Sequence, residues 1–305
     1  MLSAHGAYRA AIEVYGELLE QAPTRGDLWE ALASLHRRLG QHDEAAGCLS
    51  RFHEIELESV SLDASSAADA ATFLMAAAGY AEAPAIVPEA LVTAHFDERA
   101  ANFEDQLVER LGYRGPAELF RLVAGEGRSA GDEKLDVLDL GCGTGLAGME
   151  FRALARRLVG VDLSDAMLRE ARGKAVYDRL VHAELVGFLE DTTPPCDDYD
   201  LIVATDVFNY IGDLRPVFAA CARRLRDGGG LAFTVEASET EGRPELGARR
   251  RFRHGRVYLE RQLRSTGFGA LTIRAGTLRY EHERPVAAFF CLGRWPGEPG
   301  PAETS

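Results

Sequence analysis

In the stretch "VLDLGCGTGLAG", residues 137–148, Asp139 stands two positions ahead of Gly141, and Gly143, Gly145 and Gly148 follow. Glycines so spaced let a backbone approach a ligand that side chains would hold off, and the N–H groups opening the next helix can meet it. Asp139 decides what kind of ligand that is. Gly143-x-Gly145-x-x-Gly148 also matches the pattern that binds the pyrophosphate of a nicotinamide dinucleotide. A carboxylate about 4 Å from a phosphate, however, costs on the order of 4 kcal/mol at an effective dielectric near 20, so the acid favours a ligand with a cationic end. The plainer alternative is that Asp139 only caps the following helix.

A second acid, Asp162, closes "RRLVGVDLS" 21 residues after Gly141, where a carboxylate accepts both hydroxyls of a ribose. Either it or Ser164 can also cap the helix beginning in "DLSDAM", and the two roles are compatible.

These residues need strands and helices to hold them. Short β-rich runs occupy 135–140, 157–162, 181–186, 200–205, 230–236, 270–279 and 286–293, with helical stretches between the first several. That alternation predicts a seven-stranded, mostly parallel α/β sheet with helices on both faces. Only "YEHERP" separates the last two runs, too few residues for a helical crossover, so they are expected to pair antiparallel. Upstream, Leu91, Phe96, Ala100, Phe103, Leu107 and Leu111 recur at helical spacing, and a short helix is expected after Pro116.

The first sixty residues repeat. Gly6 and Gly40, and Ala11 and Ala45, are each 34 positions apart, the period of a tetratricopeptide helix pair. The second copy carries Trp29, Leu32, Gly40, Ala45 and Leu49 at that unit's characteristic places, while the first begins inside its own second helix. One and a half repeats form a small all-α segment that must pack on something else, and a protein partner is one candidate. The expected division is a helical region at 1–60, a linker with helix at 61–89, a catalytic domain at 90–296 and a disordered tail at 297–305.

With these landmarks in place, "VLDLGCGTGLAG", "GVDLSDAML" and "LRDGGGLAFTVE" resemble the ordered motifs of class I S-adenosylmethionine-dependent methyltransferases, over roughly residues 90–295. More narrowly, "HFDERAANFEDQLVERLGYRGPAEL" and "FRHGRVYLERQL" are similar to a bacterial group in which tetratricopeptide repeats precede such a domain. The resemblance implies a Rossmann-like fold, S-adenosylmethionine as cofactor with S-adenosylhomocysteine as product, and a binding set of Asp139, Gly141, Cys142, Gly143, Thr144, Gly145, Asp162 and Leu163. It puts Glu184 near the adenine, and Thr205 and Asp206 between the methionine end and the acceptor. Two positions depart from the pattern: Asp227 stands where many relatives have proline, and Arg99 where an aromatic residue is expected.

Methyl transfer is chiefly a matter of alignment. If the acceptor must shed a proton, Asp206, His254 and Tyr210 are the candidate bases, His254 because the surrounding arginines would keep its imidazole neutral. His95, Phe96 and Phe103 are candidates for a helical lid. Cys142 reads as a small packing residue.

Composition bounds the rest. With 46% hydrophobic and 27% charged residues the chain has an ordinary globular balance, and no apolar run approaches the roughly 18 residues of a membrane span. Nothing at the N-terminus reads as a targeting signal, so a cytoplasmic location is expected. A net charge of −14 disfavours nucleic acid and anionic lipid as partners. The run "RRRFRHGR", residues 249–256, is either a solvated basic face or a site for an acidic small-molecule acceptor. Five scattered cysteines imply free thiols, and no spacing suggests a metal site.

Overall fold

The computed structural model describes residues 2–58, 62–104, 107, 111–125, 133–192, 198–247, 249–281 and 283–296. The chain divides into two compact units, Met1–Leu91 with Leu246–Arg250, and Val92–Glu245 with Arg251–Ser305.

The first unit is helical: α1 (Leu2–Gln21), α2 (Gly26–Arg38), α3 (His42–Glu58) and α4 (Ala64–Ala77). Helices α2 and α3 form the full repeat and α1 the half repeat before it. Gly40, at φ 74°, provides the left-handed turn between α2 and α3 that a side chain would strain. Leu19, Leu28, Leu32, Ala33 and Cys48 are the buried core, with Trp29 packed against it and its indole N–H donated to the Pro23 carbonyl at 2.9 Å. Asp63 caps α4 by accepting from the amides of Ser65 and Ser66. Arg250 belongs to this unit and pairs with Glu56 at 2.8 Å. Burial alone would raise the Glu56 carboxyl, but hydrogen bonds from His53 and Arg250 bring it down to about 2.

Helix α5 (Glu89–Arg99) begins in the first unit and continues into the second, followed by a 3-10 turn at Ala100–Asn102 and α6 (Gly115–Gly125). Then follow β1 (Leu135–Leu140), α7 (Leu146–Phe151), β2 (Ala155–Asp162), α8 (Asp165–Lys174), β3 (Arg179–His182), α9 (Leu185–Glu190), β4 (Tyr199–Ala204), α10 (Arg215–Arg223) and β5 (Leu225–Ala237). After them come β6 (Glu245–Leu246), β7 (Phe252–His254), α11 (Arg256–Ser265), β8 (Leu271–Glu281) and β9 (Arg284–Arg294). Strands β3, β2, β1, β4 and β5 lie side by side and parallel. β9 pairs antiparallel with both β5 and β8, as the short connection between the last two runs requires.

Strand alternation sorts side chains between two apolar layers. Val137, Leu158, Leu201 and Val203 pack with α6 and α7, around Leu119, Ala147 and Phe151. Leu138, Leu140, Val159, Val161 and Ile202 pack on the other face with Phe218, Tyr258 and Leu259. Period two then sends Asp139, Gly160 and Asp162 to the α7 side. That placement builds the site.

Three expectations need correction. Among the described residues the sheet has nine strands rather than seven, because β6 and β7 add two short ones; both are too brief to leave a periodic signal. The run 181–186 is not a strand throughout: β3 ends at His182, and Glu184 starts α9. The basic run 249–256 is not one solvated face, since Phe252 and His254 point inward from β7 while Arg253 is exposed. The tail 297–305 and Cys196 lie outside the described residues; Cys48, Cys142, Cys221 and Cys291 are free thiols. Among the described residues no helix is long and apolar enough to cross a membrane.

Candidate functional site

β1 ends in a carboxylate that is fully buried. Asp139 Oδ2 accepts the Tyr177 hydroxyl at 2.6 Å, while its Oδ1 has no hydrogen-bond partner among the described residues. Burial pushes this carboxyl up to about 7, against the opposing hydrogen bond from Tyr177 and with a further push from Asp162. Asp139 does not cap α7, whose N-cap is Gly145 with no side-chain hydrogen bond.

The glycines answer to Tyr177 as much as to a ligand, which corrects the expectation that a ligand's bulk emptied the loop. Gly160 is the register partner of Asp139 on β2, and a Cβ there would lie 2.9 Å from both the Tyr177 ring and Cys142 Sγ. A Cβ on Gly148 would overlap the same ring, and one on Gly145 would reach it at 3.1 Å. At Gly141 the obstacle is Val207, 2.9 Å away at Cγ1. Only Gly143 of the loop would project a side chain into open space. Gly141, Gly143 and Gly145 all have positive φ, at 64°, 52° and 94°.

Asp162 ties the loop to the next strand. Its Oδ2 accepts the Gly143 N–H at 2.7 Å and its Oδ1 the Ser164 N–H at 2.8 Å. The Leu163 N–H also acts on this carboxylate, which leaves lone-pair capacity for one further donor. Burial raises this carboxyl in spite of the amide hydrogen bonds. Ser164 caps α8 through Met167 and donates to Asp97 of α5 at 2.5 Å, so α5 is fastened beside Asp162. Lys174 fastens the next stretch by bonding Glu104 and the Thr144 carbonyl. Thr144 Oγ1 is buried without a hydrogen-bond partner among the described residues, and Cys142 is buried with its thiol raised by burial and by Asp139. Leu163 presents its carbonyl to His182 at 2.8 Å.

Beyond β4, Thr205 is hydrogen bonded to the half-buried Tyr113. Asp206 follows in a left-handed conformation, φ 61°, with its N–H donated to Thr234 Oγ1 at 2.8 Å. Its Oδ1 accepts from Asn209 and its Oδ2 from Arg279 at 2.8 Å. The Tyr210 ring meets Phe96 at 5.5 Å, and Phe96 in turn meets His95 and Phe103 at 5.2 and 6.0 Å. Burial raises the Tyr210 hydroxyl far above its ordinary range, so at neutral pH it donates protons in hydrogen bonds and does not take them.

The structure does not bring all the candidates together. Glu184 caps α9, its two oxygens accepting from the amides of Val186 and Gly187 at 3.0 and 2.6 Å. His254 is fully buried, with Nε2 3.2 Å from the Gly212 carbonyl and Nδ1 unpartnered among the described residues. Its pKa is lowered to about 4 by burial, not by the arginines. Those arginines are matched by acids: Arg250 by Glu56, Arg251 by Glu236 and Glu281, Arg253 by Glu245 and Arg256 by Glu260. An acidic acceptor at this run would have to displace them.

Tyr177, Lys174, Asn209 and Arg279 were missed in the sequence. Tyr177 stands in a connection between α8 and β3, and no local pattern marks it. Arg279 lies between Leu278 and Tyr280 in a strand, and nothing in that local sequence marks it.

Residues 138–231 match the family model described as a methyltransferase domain, and residues 2–52 match a tetratricopeptide repeat. The chain is 32% identical over 184 residues to malonyl-(acyl-carrier protein) O-methyltransferase of Methylococcus capsulatus, covering 55% of this chain and 66% of that one. It is 31% identical over 105 residues to the ubiquinone biosynthesis O-methyltransferase of Thiobacillus denitrificans, covering 32% of this chain and 43% of the relative. The chain thus spans less than two thirds of either. Among solved structures, the magnesium protoporphyrin IX methyltransferase of Synechocystis PCC 6803, with bound SAM, shares the fold at TM-score 0.50 and 16% identity, over 68% of this chain and 96% of that one.

Proposed function

We propose that this chain, whose second unit carries a methyltransferase domain of Rossmann-like fold, transfers a methyl group from S-adenosylmethionine to a small-molecule acceptor. The observation that carries the reading is the pair of acids at the ends of β1 and β2. Asp139 Oδ1 is a buried acceptor without a donor, suited to the ammonium of the cofactor's methionine end. Asp162, already held by backbone amides, keeps lone-pair capacity for a ribose hydroxyl. Gly143 has open space at its Cβ position, and Gly141, Cys142, Thr144, Gly145 and Leu163 would supply backbone around the cofactor.

A dinucleotide fits poorly. The Gly143 amide, which a pyrophosphate would need, is already donated to Asp162, and Asp139 would repel the phosphates. When bound, S-adenosylmethionine supplies a methyl carbon whose bond to sulfur breaks, the electron pair staying on sulfur, as the acceptor's lone pair forms the new bond. Asp162 and the loop fix the nucleoside, while Thr205, Asp206 and Tyr210 face the acceptor. Of the three candidate bases Asp206 is retained: His254 is enclosed and Tyr210 holds its proton. Glu184, already capping α9, can take the adenine amino group only with its remaining lone pairs.

Thermal unfolding of the wild type and Asp162→Ala, each with S-adenosylmethionine, S-adenosylhomocysteine or NAD, tests this. Ligand at 100 times its Kd adds about 2.7 kcal/mol, a shift of a few degrees. Both adenosyl ligands should raise the wild-type midpoint and neither the variant's; a shift with NAD alone would overturn the reading.

A further inference from the structure

A cavity of about 330 Å³ opens between the start of α10, the connection that leaves β5 and one side of α11, all within the second unit. Asp213, Arg215, Arg243, Tyr258, Arg261 and Gln262 line it, and none of them belongs to the candidate cofactor site. Three guanidiniums thus meet one carboxylate, on a chain whose net charge is −14. Arg250, Arg251, Arg253 and Arg256 are each paired with an acid. Among the described residues Arg215, Arg243 and Arg261 have no ion pair. Glu245, on which Arg243 acts through space, already accepts from the Ser238 and Thr240 hydroxyls.

Neighbouring groups fix where these side chains lie. Arg261 extends from α11, donates from Nη2 to the Gly242 carbonyl at 2.9 Å and has its guanidinium carbon 5.8 Å from the centre of the Tyr258 ring. The two contacts set its direction, tether the loop that carries Arg243, and leave most of its N–H groups to a ligand. Tyr258 is itself held, its hydroxyl donating to the Gly212 carbonyl at 3.1 Å and accepting the Leu214 N–H at 3.0 Å. The buried ring is therefore a firm floor. Asp213 Oδ1 accepts the Arg215 N–H at 3.1 Å as α10 begins, where the helix dipole offsets part of its negative charge. The volume is on the order of ten times the roughly 30 Å³ that one water occupies in the liquid, room for an oxyanion with a small body attached.

We propose that this cavity binds a small, multiply charged oxyanion, a phosphate ester or a polycarboxylate, at a site apart from Asp139 and Asp162. The inference stands independently of the methyl-transfer reading. Planar guanidiniums give paired hydrogen bonds to phosphate and carboxylate oxygens, a fork that an ammonium lacks. Three cations less one acid leave the lining two positive charges in excess, which a dianion matches. The acid-rich remainder of the chain repels that dianion at longer range, so binding depends on contact inside the cavity. A monoanion or a neutral polyol recovers too little of this to compete. The composition of the run 249–256 pointed to an acidic ligand, but the cations that suit one lie outside that run.

Calorimetric titration of the full-length protein with glycerol 3-phosphate, citrate, acetate and glycerol, at constant ionic strength, tests this. At least one of the two polyanions should bind with a Kd of about 1 mM or tighter, and acetate and glycerol at least about tenfold more weakly. Binding of only one polyanion assigns the site to that class of oxyanion. Arg215→Gln, Arg243→Gln and Arg261→Gln should each weaken it at least about threefold, and the triple variant should abolish it. All three side chains are exposed, so these variants should fold as the wild type does. Arg261→Lys, which keeps the charge without the fork, should fall between the wild type and Arg261→Gln. Arg264→Gln, on the same helix but outside the lining, should leave the affinity unchanged. Binding of neither polyanion overturns the inference, as does acetate binding just as tightly. So does binding that survives the triple variant or falls equally in Arg264→Gln, which would mark a general effect of surface charge.

Discussion

The Tyr177 hydroxyl donates to Asp139 Oδ2 at 2.6 Å across Gly160, the glycine that faces Asp139 in the register of β1 with β2. One aromatic ring thus explains why three glycines carry no side chain and why a buried carboxylate has only one oxygen paired. Tyr177→Phe keeps the ring and removes the donor. Leaving a buried acceptor unpaired should cost about 1–3 kcal/mol, read as a fall in the urea midpoint at unchanged m-value.

Gly148→Ala places a methyl group against that ring and should destabilise by about 1–3 kcal/mol through overpacking. In a Tyr177→Ala background the same change should cost much less. A double-mutant cycle measures the coupling, and additive costs would show that the ring is not what Gly148 accommodates.

Two buried groups tilt stability against pH in opposite senses. The Asp139 carboxyl, at about 7 in the folded chain, lies above its ordinary value, so the folded state holds the extra proton and stability falls as pH rises from about 4 to 7. His254, at about 4, lies below its ordinary value, so its contribution is intact above about 6.5 and is lost as pH falls toward 4. Between those limits the slopes oppose each other. Asp139→Asn, whose amide oxygen still accepts from Tyr177, should expose the loss at acid pH, and His254→Gln the loss toward neutrality, each by roughly 3–4 kcal/mol at most. Urea unfolding at pH 5 and pH 8 reads both. Identical slopes in Asp139→Asn and the wild type would mean that Asp139 is ionised throughout.

Arg279→Met removes the cation that three acids share, and breaking a buried pair from one side costs about 3–5 kcal/mol. The melting midpoint should fall by many degrees. Arg279→Lys should recover part of the loss, since an ammonium cannot reproduce the guanidinium's fork.

Much of this could be read from the chain beforehand, and the failures have physical causes. Asp139, the glycine loop and Asp162 are contiguous in sequence and obey strand and turn rules, so their grouping was legible. His254 was misjudged because five arginines within eight residues look solvated, whereas the inward Phe252 and His254 around an outward Arg253 are a strand's alternation in miniature. Tyr177 acts through Asp139, 38 residues away, and Arg279, besides its neighbour Glu281, through Glu236 and Asp206, 43 and 73 residues away, so no local window contains these pairs.

Residues 246–250 belong to the helical unit although they follow β5 in the chain, and Arg250 there clasps Glu56. The polypeptide therefore crosses between the units three times, not once. During synthesis the repeats emerge ahead of residues 246–250 and remain without that contributor until the strands through β5 have been made. No single proteolytic cut can release the helical unit intact, and its folding is tied in time to that of the domain it precedes.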